Sequence, residues 1–191
     1  MSEATGGRPA RDAGLGPDDW DLEPRRVADS QVTLVQQMAP ADANLLGNVH
    51  GGSIMKLVDT AAGLAAMKHV GGVVVTVAMD EMSFLEPVYL EDVVTVRATV
   101  NDVGRTSLEV GVRVDAENFV TGRKVHTSSA YLVFVALDPA GNPRPVPPVV
   151  AETPEEQQRQ REAKLRREAR LARKTAIEEA RRPPTGDGAG P

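Results

Sequence analysis

The chain contains no cysteine, only three histidines, and so few aromatics that Phe, Tyr and Trp make up 3% of its 191 residues. Without thiols it forms neither a disulfide framework nor a thiolate metal site, a composition suited to a reducing compartment. With only His50, His69 and His126 to draw on, a histidine-rich metal centre is not expected, and neither a metal nor a separate cofactor enters the reading. No apolar run approaches the roughly 20 residues of a membrane-spanning helix. The polar, glycine-rich N-terminus lacks the hydrophobic segment of a secretory signal. The expectation is a soluble, cytoplasmic protein. The shortage of aromatics also dictates that any core be built from Val, Leu, Ala and Met.

What is present suits one globular domain with tails: 41% hydrophobic and 26% charged residues, in a chain long enough for one substantial core but cramped for two. The net charge of −5 is unevenly spread. Residues 152–191 hold ten Lys+Arg and eight Asp+Glu, so the rest of the chain is the acidic part. That balance argues against general nucleic-acid binding, which calls for a basic domain.

In chain order, residues 1–29 read as a disordered tail with one aromatic, Trp20. Residues 30–150 hold the domain. A strand ends near Met38-Ala-Pro40, a helix follows a polar loop, and four β-rich segments come next, at 73–85, 92–103, 105–118 and 122–137. Their period-two alternation and turn residues predict an antiparallel sheet. One helix within five strands is an α+β arrangement, and the helix is buried most simply if the sheet curls around it. Residues 138–150, rich in proline, form an extended strap. Residues 151–182 read as a charged C-terminal helix started by Thr153-Pro154, either solvated or in contact with a partner, and 183–191 as a disordered end.

Residues 42–69 organise the rest: a polar loop, the pair Gly51-Gly52 with Ser53 as cap, and a helix of mostly small residues carrying one carboxylate, Asp59. On a helical wheel Asp59 falls at the edge of the stripe Ile54, Leu57, Val58, Ala61 and Ala65. It is either a crevice-facing acid or a surface Asp paired with Lys56. The helix N-terminus offers N–H groups that can stabilise a developing oxyanion. Gly52 and Asp59 are seven residues apart, about 10 Å along a helix, too far to touch one reacting carbonyl. Two antiparallel copies would solve this, so a site shared across a homodimer interface follows as a hypothesis.

The run Ala43-Asn44-Leu-Leu-Gly47-Asn48-Val49-His50-Gly51-Gly52-Ser-Ile-Met-Lys-Leu-Val-Asp59 resembles the hotdog-fold acyl-CoA thioesterases, the cytosolic long-chain (brain-type) hydrolase and its bacterial single-domain relatives in particular. So do Val-Thr-Val-Ala-Met-Asp80-Glu-Met-Ser-Phe84-Leu-Glu-Pro87 and Ala130-Tyr131-Leu-Val-Phe134, with Arg144-Pro-Val-Pro-Pro beyond. The resemblance covers residues 30–165. It implies a five-stranded sheet wrapped around the helix, metal-free hydrolysis of fatty acyl-CoA to fatty acid and CoA, and homodimers with two composite sites, assembled as trimers of dimers into homohexamers.

The resemblance also implies that Asp59 is the catalytic acid, a general base or else a nucleophile. Asn44 matches the family's catalytic asparagine, with Asn48 a lower-ranked candidate, and the Gly52 N–H would help Asn44 polarise the thioester. Arg105-Thr106-Ser107 and Arg123-Lys124 are candidate CoA phosphate contacts. His50 and Gly51 are placed along the acyl or pantetheine tunnel. His69, His126 and Met55, Met67, Met79 and Met82 read as packing residues, and Asp80 and Glu81 as interface or structural groups. The alternatives are a hydratase or dehydratase, which would need a His–Asp pair not found in the corresponding loop, and a non-catalytic acyl-CoA-binding or regulatory hotdog protein.

Overall fold

A computed structural model describes residues 20–181. Among the described residues short elements come first, the strand β1 (Arg25–Arg26) and one helical turn α1 (Val27–Ser30), followed by β2 (Val32–Gln37). The central helix α2 (Gly51–Val70) precedes β3 (Val74–Phe84), β4 (Val93–Val103), β5 (Ser107–Glu117) and β6 (Lys124–Ala136). After the strap come β7 (Val149–Val150) and a long helix α3 (Pro154–Ala180). The main sheet is antiparallel throughout, in the order β2-β4-β5-β6-β3, so β2 and β3 are its edges. This is the α+β arrangement, one helix against five antiparallel strands, that the alternation implies.

Small side chains explain how the helix fits. Ile54, Val58, Ala61, Ala62, Ala65 and Ala66 of α2 are buried against Val94, Val96, Ala98 and Val100 of β4, Leu108, Val110 and Val114 of β5, and Leu132, Phe134 and Ala136 of β6. Alanine lets the helix axis approach the sheet closely, so a core with one large aromatic, Phe134, still reaches native packing density. Gly63 faces that ring, and a Cβ there would lie 3.8 Å from Phe134 Cε1, an ordinary packing distance, so alanine would fit as well.

The C-terminal end of α2 is clamped. Gly71 adopts the left-handed conformation (φ 72°) that closes the helix. Arg25 Nη1 donates to His69 O at 2.7 Å and Arg144 Nη2 to Val70 O at 3.2 Å, two cations on the negative end of the helix dipole. Trp20 lies against the Arg144 guanidinium, 4.2 Å from ring centroid to Cζ. The N-terminal segment therefore takes part in the body. Val27 and Ser30 are buried, and Ser30 Oγ accepts from Val100 N at 2.9 Å, whereas the reading of residues 1–29 as a disordered tail stopped the domain at residue 30. Residues 1–19 and 182–191 lie outside the described residues.

Two other expectations change. α2 starts at Gly51 with His50 as its cap, not after Ser53. Met79 and Met82 pack on the core as expected, but Met55 and Met67 are exposed on α2 beside Leu64.

His69 is buried, with Nε2 2.9 Å from Pro147 O. A carbonyl partner requires Nε2 to carry the proton. Burial pulls the imidazole below its ordinary value of 6.5, more strongly than the carbonyl bond raises it, and nearby Arg25 adds to the depression. The folded state thus holds this histidine neutral while the unfolded chain takes up a proton below about pH 6.5. Its contribution is fully present above that pH and is lost as pH falls toward the depressed folded value. The thermal midpoint of the wild type is expected to fall more steeply from pH 7.5 to 5.5 than that of His69→Gln; parallel pH profiles in differential scanning calorimetry would exclude this role.

Candidate active site

The N-terminal end of α2 opens into a cleft of about 330 Å³ lined by Asn44, Asn48, Val49, Gly51, Ile54 and the segment from Phe84 to Val88. The loop before the helix is held by Asn44. Its Oδ1 accepts from Leu46 N at 2.8 Å and Asn48 N at 3.2 Å, while its backbone N donates to Asn48 O at 2.7 Å. Its Nδ2 has only a long contact, 3.5 Å, to Val49 O. The amide oxygen thus shapes the loop and the amide N–H₂ is left to donate to another acceptor. Gly51 lines the same cleft, and its N–H, in the first turn of α2, has no acceptor within the helix.

Gly52 is different. His50 Nδ1 accepts from Gly52 N at 2.8 Å, so the N–H expected to polarise a carbonyl is engaged by the helix cap. A Cβ at Gly52 would lie 2.9 Å from the same nitrogen, and glycine is what lets the ring sit there. His50 therefore has a structural role that the sequence reading did not assign.

Asp59 stands two turns along α2, exposed at the edge of the buried stripe and outside the cleft. Lys56 is not its partner. Thr76 Oγ1 on β3 donates to Asp59 Oδ1 at 2.9 Å, orienting the carboxylate, and Oδ2 carries no hydrogen bond among the described residues. Thr76 was missed from sequence because a threonine inside Val-Val-Thr-Val reads as an ordinary strand residue. The reach from the Asn44 and Gly51 cleft to Asp59 is eight helical residues, about 12 Å, so one protomer presents two separated half-sites.

The candidate phosphate contacts are split between opposite ends of the sheet. Arg105 and Thr106 occupy the β4–β5 turn and Ser107 opens β5, at the end where α2 terminates. At the other end Arg123 pairs with Asp92 (3.8 Å) over the Tyr89 ring, and Lys124 pairs with Glu117 (3.0 Å), so both have local structural partners. His126 packs as expected, with Nε2 3.0 Å from Ser129 Oγ. Asp80 forms an ion pair with Arg170 of α3, in line with its reading as a structural acid. Among the described residues no group of three His, Cys, Asp or Glu could hold a metal ion.

Residues 46–121 match the family model for the thioesterase superfamily. YkhA of Bacillus subtilis, an acyl-CoA thioester hydrolase called uncharacterized, is 38% identical over 134 residues, 70% of this chain and 78% of its own. The mouse cytosolic acyl coenzyme A thioester hydrolase is 36% identical over 146 residues, 75% of this chain but 38% of that longer enzyme. A hexameric acyl-CoA thioesterase solved in apo form superposes with a TM-score of 0.77 at 36% identity, over 80% of this chain and 97% of that one. The acyl-CoA hydrolase of Staphylococcus aureus, solved with butyryl-CoA, CoA and CoA disulfide, superposes at 0.76 with 32% identity, over 82% of this chain and 95% of that one. The staphylococcal enzyme has also been solved as three alanine variants: of an asparagine, of an aspartate fifteen residues later, and of a threonine seventeen residues after that. Asn44, Asp59 and Thr76 stand at the same two intervals here.

The cap makes a direct prediction. His50→Ala removes the acceptor for Gly52 N and is expected to cost about 1 kcal/mol, in the range of other lost helix caps, measured as a lowered urea midpoint with unchanged slope. An unchanged midpoint would show that the cap contributes nothing.

Proposed function

This chain belongs to the thioesterase superfamily, among the acyl-CoA thioester hydrolases, and we propose that two copies build each of its active sites, Asp59 from one and Asn44 from the other. One observation carries the assignment of residues. Asn44, Asp59 and Thr76 repeat the spacing of the three residues varied in the staphylococcal hydrolase, and Thr76 is hydrogen-bonded to Asp59.

The chemistry then follows from the donors and acceptors. Asp59, steadied through Oδ1 by Thr76, takes a proton from water with Oδ2 as the water oxygen attacks the thioester carbonyl carbon. Asn44 Nδ2 and the Gly51 N–H donate to the carbonyl oxygen as it gains negative charge. The Gly52 N–H joins them when His50 releases it. The carbon–sulfur bond then breaks, and the proton held by Asp59 passes to the departing thiolate, giving a carboxylic acid and CoA.

A second copy is supported by what a single protomer leaves exposed. β3 is an eleven-residue edge strand, with Val73, Val75 and Val77 open to solvent along or just before it, and Met55, Leu64 and Met67 are exposed on α2. An edge of this length and composition calls for a partner strand. Pairing two β3 edges about a two-fold axis would run the α2 helices antiparallel and bring each Asp59 toward the other chain's cleft. Hexameric neighbours support three such dimers per particle, and the cytosolic naming of the mammalian relatives supports a cytosolic location. No described helix is long and apolar enough to cross a membrane. CoA phosphates would meet Arg105 and its neighbours or Arg123 and Lys124, with Asn48 and His50 along the tunnel to the thioester.

The shared site is tested by thiol release from acyl-CoA substrates of increasing chain length. Asn44→Ala and Asp59→Ala are each expected to lose about 100-fold or more. Co-refolding the two inactive variants in equal amounts is expected to restore about a quarter of wild-type activity, because half the dimers are mixed and each mixed dimer holds one intact site. No recovery from a dimeric mixture would place both residues in one chain. Wild-type turnover in Asp59→Ala would remove the acid–base assignment.

A further inference from the structure

α3 crosses the convex face of the sheet, and its contacts can be followed strand by strand. Gln160 Nε2 donates to Asp102 Oδ1 on β4 at 3.2 Å. Arg166 makes two hydrogen bonds to Glu109 on β5, at 2.8 and 3.2 Å, with its guanidinium 3.6 Å from the Tyr131 ring on β6. Arg170 ends on Asp80 of β3. From β4 to β3 is three strand spacings, about 14 Å, and from residue 160 to 170 the helix advances about 15 Å. At Arg170 the helix has reached the edge of the sheet. Ten further helical residues, 171–180, continue about 15 Å beyond it, and every one is exposed.

The sheet-facing stripe of the helix does not stop at that edge. Ala163, Arg166, Arg167 and Arg170 occupy an arc about 100° wide on the helical wheel, and Lys174, Ile177 and Arg181 fall in the same arc. Here one branched apolar side chain and two cations are aimed along the plane of a sheet that ends before reaching them.

We propose that residues 171–181 of α3 clasp the convex face of a second copy of this chain, across the β3 edge. The proposal rests on the dimer reading above, in which the two β3 edges pair. Pairing continues the sheet under the projecting helix, and 15 Å of helix covers about three strands of the second copy. Charge favours this occupant. On the convex face Asp80, Glu109 and Asp102 are engaged by the α3 of their own chain, whereas the exposed Glu81 engages only Ser83 Oγ, at 3.3 Å, among the described residues, and is the acid open to Lys174 or Arg181 of a second copy. Val75, exposed and alternating with Val74, which packs on the core, and Thr76, which bonds Asp59 of α2, supplies the apolar surface that Ile177 fits. By two-fold symmetry each copy gives one clasp and receives one. The clasp thus couples the tail helix to the interface that completes the active sites.

The absence of cysteine makes the test clean. A benzophenone maleimide attached to the full-length Ile177→Cys variant is expected, on irradiation, to give a two-chain adduct whose cross-linked peptides map to 74–84 and 124–136 of the other chain. The double variant Lys174→Glu/Arg181→Glu is expected to weaken self-association about tenfold by sedimentation, with the Arg166 and Arg170 pairs intact. Cross-links confined to one chain or mapping elsewhere, in a protein that sediments as a dimer or larger, overturn the clasp and leave the shared active site standing. A monomeric protein, with no complementation between Asn44→Ala and Asp59→Ala, overturns both.

Discussion

The close contact between the alanine face of α2 and the valine-rich concave side of the sheet is the constraint on which the rest depends. Because Ala61, Ala62, Ala65 and Ala66 hold the helix axis near β4 and β5, the helix has almost no freedom to roll. The direction of Asp59 is set by that packing as much as by its own rotamer. A quarter turn of roll in either direction would aim the carboxylate into the core or into bulk solvent, away from Thr76. The two ends of the helix are treated oppositely. Arg25, Arg144 and Gly71 satisfy the carbonyl end, whereas the N–H end faces a cleft, where its partial positive charge remains available to a ligand.

The convex face follows another logic. α3 is fastened there by arginines on acids more than by apolar burial, with Ala163 the one fully buried apolar residue of the helix. Arg166 meets Glu109 with two hydrogen bonds and stacks on Tyr131, a combination that lysine could not reproduce. Burial pushes the Asp102 carboxyl up from its ordinary value, against the opposing pull of Gln160, Lys164 and Arg167. For Asp115, six residues beyond Glu109 along β5, burial would also raise the carboxyl, but Arg113 and Arg97 together outweigh it and hold the group below its usual range. Such a surface is cohesive only while both sets of charges are present, so salt and pH act on it more than on the core.

Period-two alternation and glycine or asparagine turns made the strands legible, and small residues between two glycine pairs made the central helix legible, with boundaries within a few residues of those observed. The wheel position of Asp59 was readable for the same reason: helical geometry converts sequence into direction. Its bond to Thr76 was not, since it joins two elements whose relative placement depends on the whole sheet. The cap at His50 escaped notice because imidazole is not among the residues that usually cap helices. The docking of α3 was invisible for a different reason. Glu162 and Arg166 have the spacing of a pair within one helix, yet Arg166 binds Glu109, far away in the chain. Trp20 and Val27 sat in a stretch whose polarity concealed how few apolar contacts suffice to anchor a segment.

Asp80 and Glu81, which interrupt an otherwise apolar strand, mark a departure from regular pairing. β3 runs against β6 with register shifts between Thr76 and Ala78 and again between Met79 and Glu81. Two extra residues in one strand keep Thr76, Met79 and Met82 toward the helix and free Asp80 for Arg170. They also give the open edge an uneven profile. A straight strand from an unrelated protein cannot follow that edge for its full length without losing hydrogen bonds at each irregularity. The bulges that aim the side chains thus also guard an exposed valine-rich edge against recruiting foreign strands.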